Sequence, residues 1–356
     1  MPKVLVGMSG GVDSSVAAYL LKEKGYEVEG LSLILWEERS RTDFKTCCSL
    51  QAIKEASRTA RHIGVPHNMM DVRDDFIKKV TEPFVNAYTA GSTPNPCILC
   101  NRFIKFPFLI RDAEKRGAEY VATGHYARIE RQGSRETSVF LKKGIDPKKD
   151  QSYVLYILRQ EELKKLILPL GYYRKDEVRE IAKGLNLPAT KRSESQEVCF
   201  IENRNYFKFI EKLSPLAGKP GPIIDMTGRV IGTHKGIHTY TVGQRKRIGI
   251  SSKEPFYVVK IDTIRNTVYV GTQEAVKKRE FFVEDLNWIL LPPSEKFKAS
   301  VKVRSMMKDE PATISLLGDK VSVVYDKPQW APAPGQSAVF YDGDTIIGGG
   351  VIKTTA

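Results

Sequence analysis

The spacing of hydrophobic positions divides the chain near residue 208. Val4-Leu5-Val6 is an uninterrupted apolar run, the pattern of a strand buried on both faces. After Gly7–Ser15, apolar residues at Val16, Ala17, Leu20 and Leu21 keep helical spacing until Gly25. Glu27–Leu35 predicts a second strand. Leu50, Ile53, Ala60 and Ile63 stripe a helix ending at Gly64, and His67–Val72 predicts a third strand. A helix over Phe103–Lys115 precedes the short strand Tyr120–Ala122. Alternation of this kind predicts an α/β domain whose parallel sheet is covered on both faces, with ligands at the carboxyl ends of the strands. Gly7–Ser15 and Thr123-Gly124-His125-Tyr126 both fall at such ends.

Beyond residue 208 the pattern shortens. Gly218-Lys219-Pro220-Gly221-Pro222 is a cluster of breakers. Phe256–Asp262 and Thr267–Gly271 predict a hairpin turning at Arg265-Asn266. Lys298–Val303, Ala312–Leu317, Val321–Tyr325, Ser337–Tyr341 and Thr345–Lys353 predict further strands. Gly318-Asp319 and Asp342-Gly343-Asp344 mark turns between them. This is the pattern of a small closed β-barrel. The expected division is a catalytic α/β domain over 1–207, a small mostly-β central domain over 208–279, and a C-terminal barrel over 280–356.

Chemistry enters first at Gly7-Met8-Ser9-Gly10-Gly11-Val12-Asp13-Ser14-Ser15. A strand, a Gly/Ser turn and a helix N-terminus form an anion cradle. Glycines admit close backbone approach, unpaired N–H groups point at the ligand, and Ser9, Ser14 and Ser15 add hydroxyls. Asp13 inside such a cradle makes sense when a divalent cation is shared with phosphates. The turn lacks the Lys-Ser/Thr ending of the common ATPase loop. Ser-Gly-Gly-Val-Asp-Ser instead resembles the pyrophosphate loop of the ATP pyrophosphatases (PP-loop, adenine nucleotide α-hydrolase-like). That resemblance implies ATP, Mg2+ and attack of a substrate oxygen on the α-phosphorus.

Bulk properties narrow the partners. At 356 residues, with 41% hydrophobic and 28% charged positions, the composition is that of an ordinary folded protein. No apolar run approaches a membrane span and the start reads as a strand, so the expected location is the cytoplasm, with no membrane partner. A net charge of +14, spread along the chain, suits a large folded polyanion such as an RNA. Five cysteines include adjacent Cys47 and Cys48 and a Cys97-X-X-Cys100 pair. That usage suggests sulfur or metal chemistry rather than a secreted disulfide framework. Cys47 and Cys48 read as small buried hydrophobes. The Thr93-Pro94-Asn95-Pro96 loop stiffens the approach to Cys97 and Cys100, and it is expected to put Cys100 near a helix N-terminus, where the dipole favours thiolate. A third segment, Ser193–Phe200, carries Cys199.

Along nearly its whole length the chain resembles the tRNA-uridine 2-sulfurtransferases (the MnmA/TrmU family). The matching motifs are Gly7–Ser15, Thr93–Pro96 with Cys100-Asn101, Gly124–Arg128, Lys149–Tyr153, Ser195–Phe200, Thr241–Lys246 and Pro334-Gly335-Gln336. The resemblance implies ATP-dependent 2-thiolation of the wobble uridine, position 34, in tRNAs for Lys, Glu and Gln. ATP would lie on Gly7, Met8, Ser9, Gly10, Gly11, Val12, Asp13 and Ser14, with Leu33 and Gly124 lining the adenosine pocket. Cys199 corresponds to the persulfide carrier and Cys100 to the nucleophile and resolving thiol, supplied by an upstream persulfide or sulfide donor protein. Asn95, Pro96 and Cys97 map to the loop touching the target base. Lys149, Asp150, Gln151, His125, Arg304, Ser305 and Gln336 map to tRNA contacts.

Three departures stand out. Cys97 occupies a position where aspartate is usual, so Cys97, Cys100 and Cys199 also form a plausible ligand set for a [4Fe-4S] cluster with one open iron. In that version Cys100 is a ligand and no persulfide forms on Cys199; both versions stay open on sequence. Ser305 replaces the more usual tyrosine, weakening any stacking on RNA there. Arg247 replaces a usual glycine. The competing expectations are another PP-loop enzyme, an amidotransferase or a ligase, and a non-catalytic RNA- or ATP-binding protein.

Overall fold

The structure, a computed structural model, describes residues 1–36, 50–132, 138–191, 198–201, 205–252 and 254–355. Cys47, Cys48 and most of Ser193–Phe200 before Val198 lie outside the described residues. The chain divides into two compact units: Met1–Val80 with Pro96–Arg204 and Asp344–Ile346, and Thr81–Asn95 with Asn205–Gly343 and Ile347–Ala356.

The first unit is built on five parallel strands in the order His67–Asp71, Glu27–Ile34, Lys3–Gly7, Tyr120–Ala122, Leu166–Ile167. Val4, Leu5 and Val6 are fully buried at its centre, as the unbroken apolar run requires. Strand order reverses direction at Lys3–Gly7, whose neighbours on either side are Glu27–Ile34 and Tyr120–Ala122. The ends of the two strands flanking that reversal, Gly7 and Ala122, open the crevice where an open parallel sheet receives ligands. Helix Val12–Glu23 buries Val16, Ala17, Ala18 and Leu21, and Ala56 and Ala60 of helix Leu50–His62 join the same core.

Two elements of this unit differ from the sequence expectation. Ala127–Gln132 and Ser138–Lys143 form an antiparallel hairpin, not another strand–helix repeat. The helix expected from Phe103 starts earlier: Pro96–Cys100 runs into a π-helical turn, Asn101–Lys105, and on into Phe106–Lys115. Pro96 takes the first helical position, where its missing N–H is harmless. Cys97 therefore occupies the first turn and Cys100 lies a full turn inside.

In the second unit, Gly221–Asp225, Val230–His234, Tyr257–Asp262 and Thr267–Gly271 form a four-stranded sheet around Ile223, Val258, Val268 and Val270. The expected hairpin is present, and Asn266 turns it at φ 48°. The barrel has six strands. The five expected are joined by Lys277–Trp288, which pairs with both Lys320–Trp330 and Thr345–Thr355 and so closes it. Phe281 and Val283 of that strand point into the barrel core with Ile314, Val323, Phe340 and Ile352.

Within this second unit three separate sequence motifs meet at Thr93. Its N–H donates to the Pro334 carbonyl at 2.8 Å, and its hydroxyl donates to Thr241 Oγ1 at 3.1 Å. Its carbonyl accepts from Gln336 Nε2 at 2.6 Å.

Candidate active site: an anion cradle with an apolar back wall

Gly11 caps helix Val12–Glu23 without any side-chain acceptor, so the leading N–H groups of the helix are left for a ligand. Gly10 adopts φ 77°, and a Cβ there would overlap the Ala52 carbonyl. Ser9 N–H donates to Ser14 Oγ at 3.1 Å, which in turn contacts the Gly11 carbonyl at 3.2 Å. These bonds set the shape of the turn. Ser15 does not serve the cradle: it is fully buried and donates to the Gly11 carbonyl at 2.9 Å.

The cradle opens onto a cavity of about 220 Å³. Leu31, Leu33, Leu35, Ile53 and Leu109 supply an apolar wall, while Ser9, Ser14, Asp13, Ser32, Thr123, His125, Lys105 and Gln151 supply polar groups. Gly7, Met8 and Gly124 complete the lining among those positions expected for nucleotide. Gly10, Gly11 and Val12 are in the turn but not on that lining. Gly124 has its own reason to be glycine: a Cβ there would stand 2.7 Å from the Asp13 carbonyl carbon and the Ser14 nitrogen. The mixed surface, apolar at one side and donor-rich at the other, suits a purine joined to phosphates.

Asp13 is held from behind. Its Oδ1 accepts from Lys175 Nζ at 2.6 Å and from the Tyr126 hydroxyl at 2.7 Å. Lys175 is only 5% exposed, whereas the Asp13 side chain is 37% exposed and lines the cavity. Sequence reasoning missed Lys175. Its one signal was local: it sits in the first turn of helix Lys175–Gly184, where a lysine opposes the helix dipole.

His125 is 9% exposed, stacks on Phe106 at 5.9 Å, and shares a 2.7 Å hydrogen bond between Nδ1 and Thr123 Oγ1. Burial, with the nearby Lys105 charge adding to it, holds its pKa well below the ordinary histidine value. His125 and Gln151, expected at RNA, thus lie on the wall of the nucleotide cavity. Gln151 Oε1 accepts from the Tyr126 N–H at 3.0 Å. Asp150 organises its own turn, accepting from the N–H groups of Gly144 and Ser152. Lys149 lies in that same turn, its N–H donating to the Asp146 carbonyl.

The other expected RNA positions fall in the second unit. The Arg304 guanidinium donates to the carbonyls of Val242 at 2.8 Å and Ala331 at 3.3 Å, tying two loops together. Ser305 is half-buried beside it. Asn95 ends the segment docked through Thr93, while Pro96 and Cys97 belong to the first unit. Arg247 stands at φ 64°, which is why glycine is the natural choice there.

The three described thiols differ in exposure. Cys97 is exposed, Cys100 is 7% exposed, and Cys199 is half-buried. Phe200 anchors the Cys199 turn by packing on Phe76 at 5.4 Å and Trp36 at 6.3 Å. Among the described residues no three His, Cys, Asp or Glu side chains are grouped as a metal site. The donor set for a cluster is therefore present in the sequence but not assembled in this arrangement.

Comparisons with known proteins decide the family. A model described as "tRNA methyl transferase HUP domain" matches residues 2–203. A "tRNA methyl transferase PRC-barrel domain" matches 208–272, and an "Aminomethyltransferase beta-barrel domain" matches 278–352. A protein of Caldanaerobacter subterraneus subsp. tengcongensis named tRNA-specific 2-thiouridylase MnmA 1 is 48% identical over 356 residues, covering 99% of this chain and 98% of its own. One of Clostridioides difficile, tRNA-specific 2-thiouridylase MnmA, is 44% identical over 354 residues, with 99% and 98% covered. The chain belongs to the MnmA family of tRNA-specific 2-thiouridylases. Both relatives match this MnmA-family chain from the cradle through the barrel.

Proposed function

We propose that this chain thiolates C2 of the wobble uridine, position 34, in tRNAs reading as Lys, Glu and Gln types, at the expense of ATP. The observation that carries the reading is the pairing of a nucleotide-shaped cavity at Gly7–Ser14 with 48% identity to a 2-thiouridylase over 99% of the chain. The methyl transferase wording of the family models does not fit the site as well, because an anion cradle holding a carboxylate suits a metal–nucleotide.

ATP is assigned to the cavity, adenine against Leu33 and its apolar neighbours, phosphates on the open helix end. Asp13 fits a Mg2+ role: Oδ1 is engaged by Lys175 and Tyr126, and Oδ2 is left for a cation. Mg2+ there would neutralise phosphate charge. The uridine C2 oxygen bonds to the α-phosphorus, pyrophosphate departs, and the base is left as an O-adenylate. Positioning and charge neutralisation supply most of the acceleration in such a transfer. Cys199 carries the incoming sulfur as a persulfide received from a donor protein. On one path the Cys100 thiolate attacks the inner sulfur of the Cys199 persulfide, closing a Cys100–Cys199 disulfide and releasing hydrosulfide that attacks C2 with loss of AMP. On the other, the outer persulfide sulfur attacks C2 first with loss of AMP, and Cys100 then cleaves the S–S bond to free the 2-thiouridine. In both cases an external thiol reduces the disulfide for the next turnover. Asn95, Pro96 and Cys97 are assigned to the target base, and Lys149, Asp150, Gln151, His125, Arg304, Ser305 and Gln336 to the tRNA. The three-part division at about 208 and 280 is supported by the boundaries of the matching family models. No helix among the described residues is long and apolar enough to cross a membrane, and a cytoplasmic enzyme is the reading that meets its tRNA substrate.

The test is thiolation of unmodified tRNA with ATP and a persulfide donor. Cys199→Ala and Cys100→Ala are expected to abolish 2-thiouridine while ATP and tRNA binding persist; full activity in either removes the assignment. Pyrophosphate release that needs no tRNA would point instead to a small-molecule ligase or amidotransferase.

A further inference from the structure

The nucleotide cavity carries one ammonium on its described lining, that of Lys105. The carboxylate of the lining, Asp13, is already engaged by Lys175 from behind. The Lys105 charge also disfavours protonation of the neighbouring His125. Lys105 is half-buried and makes no ion pair with a carboxylate among the described residues, so an anion in the cavity would complete its surroundings.

The backbone arrangement that puts Lys105 there is specific. Asn101–Lys105 is a π turn, in which the Phe106 N–H donates to the Asn101 carbonyl five residues back. A π turn inserts one residue into the helical repeat and turns everything after it by about 100° relative to a continuous α-helix. Lys105 and Leu109, one turn apart, both line the cavity as a result. In an unbroken helix the place of Lys105 would fall to Ile104, which is fully buried and has no charge to offer. Single π turns of this sort recur at functional sites.

We propose that Lys105 is a phosphate-binding residue of this cavity, delivered by the π turn to neutralise the nucleotide phosphates opposite the helix end of Gly11–Ser14. The inference rests on the assignment of a nucleotide to the cavity, and it stands apart from whether tRNA is the acceptor.

The experiment compares ATP and adenosine binding, by calorimetry on the full chain, in wild type, Lys105→Met, Lys105→Gln and Lys105→Arg. Loss of a charge-assisted contact predicts ATP binding weakened about tenfold or more in the Met and Gln variants. Adenosine binding stays within about twofold in both, and Lys105→Arg recovers most of the ATP affinity. ATP affinity unchanged in Lys105→Met overturns the proposal. So does equal weakening of ATP and adenosine in both neutral variants, which would mean that Lys105 only shapes the pocket. Absence of tRNA-dependent pyrophosphate release from wild type would sink the thiolation reading while leaving this comparison intact.

Discussion

Lys175 Nζ lies 2.6 Å from Asp13 Oδ1, joining residues 162 positions apart across the first unit. Lys175 is almost wholly buried and Asp13 is over a third exposed. The two halves of the pair therefore differ in what their removal leaves behind. Asp13→Ala takes from a buried ammonium its 2.6 Å carboxylate partner, a loss that costs stability because the charge remains in the interior. Lys175→Met leaves a carboxylate that still reaches solvent and keeps a hydrogen bond from Tyr126. Asp13→Ala is therefore expected to lower the thermal midpoint more than Lys175→Met. Equal midpoints would show that the pair does not anchor the loop.

Arg247 makes a second prediction through its backbone. It is exposed and stands at φ 64°, a conformation that crowds the Cβ of any L residue. Arg247→Gly relieves that crowding, and after the larger entropy loss of glycine the net gain is about 0.5–1 kcal/mol. The expected result is a thermal midpoint raised by about one to two degrees, with the same tRNA affinity if Arg247 makes no contact to RNA.

These two sites also show what could be read from the chain. Val4–Val6, the Gly7–Ser15 turn and the Asn266 hairpin are local: each element declares itself within a few residues, and the structure has all three. The helix starts earlier than the Phe103 that its sequence suggests, because two prolines look like a loop although Pro96 is a helix start. Strand Lys277–Trp288 hides behind its charges, and closure of the barrel depends on two partners distant in sequence. Lys175 carries no motif. Its role follows only from burial beside Asp13, which the folded chain creates. The π turn was equally invisible, since no residue pattern distinguishes five helical residues with one extra in the turn.

His125 yields a pH prediction. Burial holds its folded pKa well below the value of about 6.5 expected in the unfolded chain. Below that pH the unfolded chain binds a proton there that the native state does not, so stability falls as pH falls through the unfolded pKa. The slope is bounded at about 1.4 kcal/mol per pH unit for one group. Burial is the main cause of that shift, and the Lys105 charge on the same cavity wall adds to it. In thermal unfolding followed between about pH 5 and 7, His125→Gln is expected to flatten the acid side of the wild-type curve. An unchanged curve would mean that His125 is protonated in the native state.

Cys97 separates the two sulfur routes. It is exposed in the first helical turn, whereas Cys100 is buried one turn further in, and among the described residues no three side chains are grouped to hold a metal. Because Cys97 is exposed and Cys100 buried, Cys97 is expected to react with alkylating reagents before Cys100 does. On the persulfide route Cys97 is not a sulfur carrier, and Cys97→Ala should keep measurable tRNA thiolation, lowered from wild type by no more than the roughly 10²–10⁴-fold that a positioned acid or base contributes. Cys97→Asp, which restores the more usual residue, should match or exceed it. Protein purified without oxygen should then hold less than one iron per chain and show no broad visible absorbance. Stoichiometric iron lost on Cys97→Ala together with all activity would establish a cluster on Cys97, Cys100 and Cys199 and exclude a persulfide on Cys199.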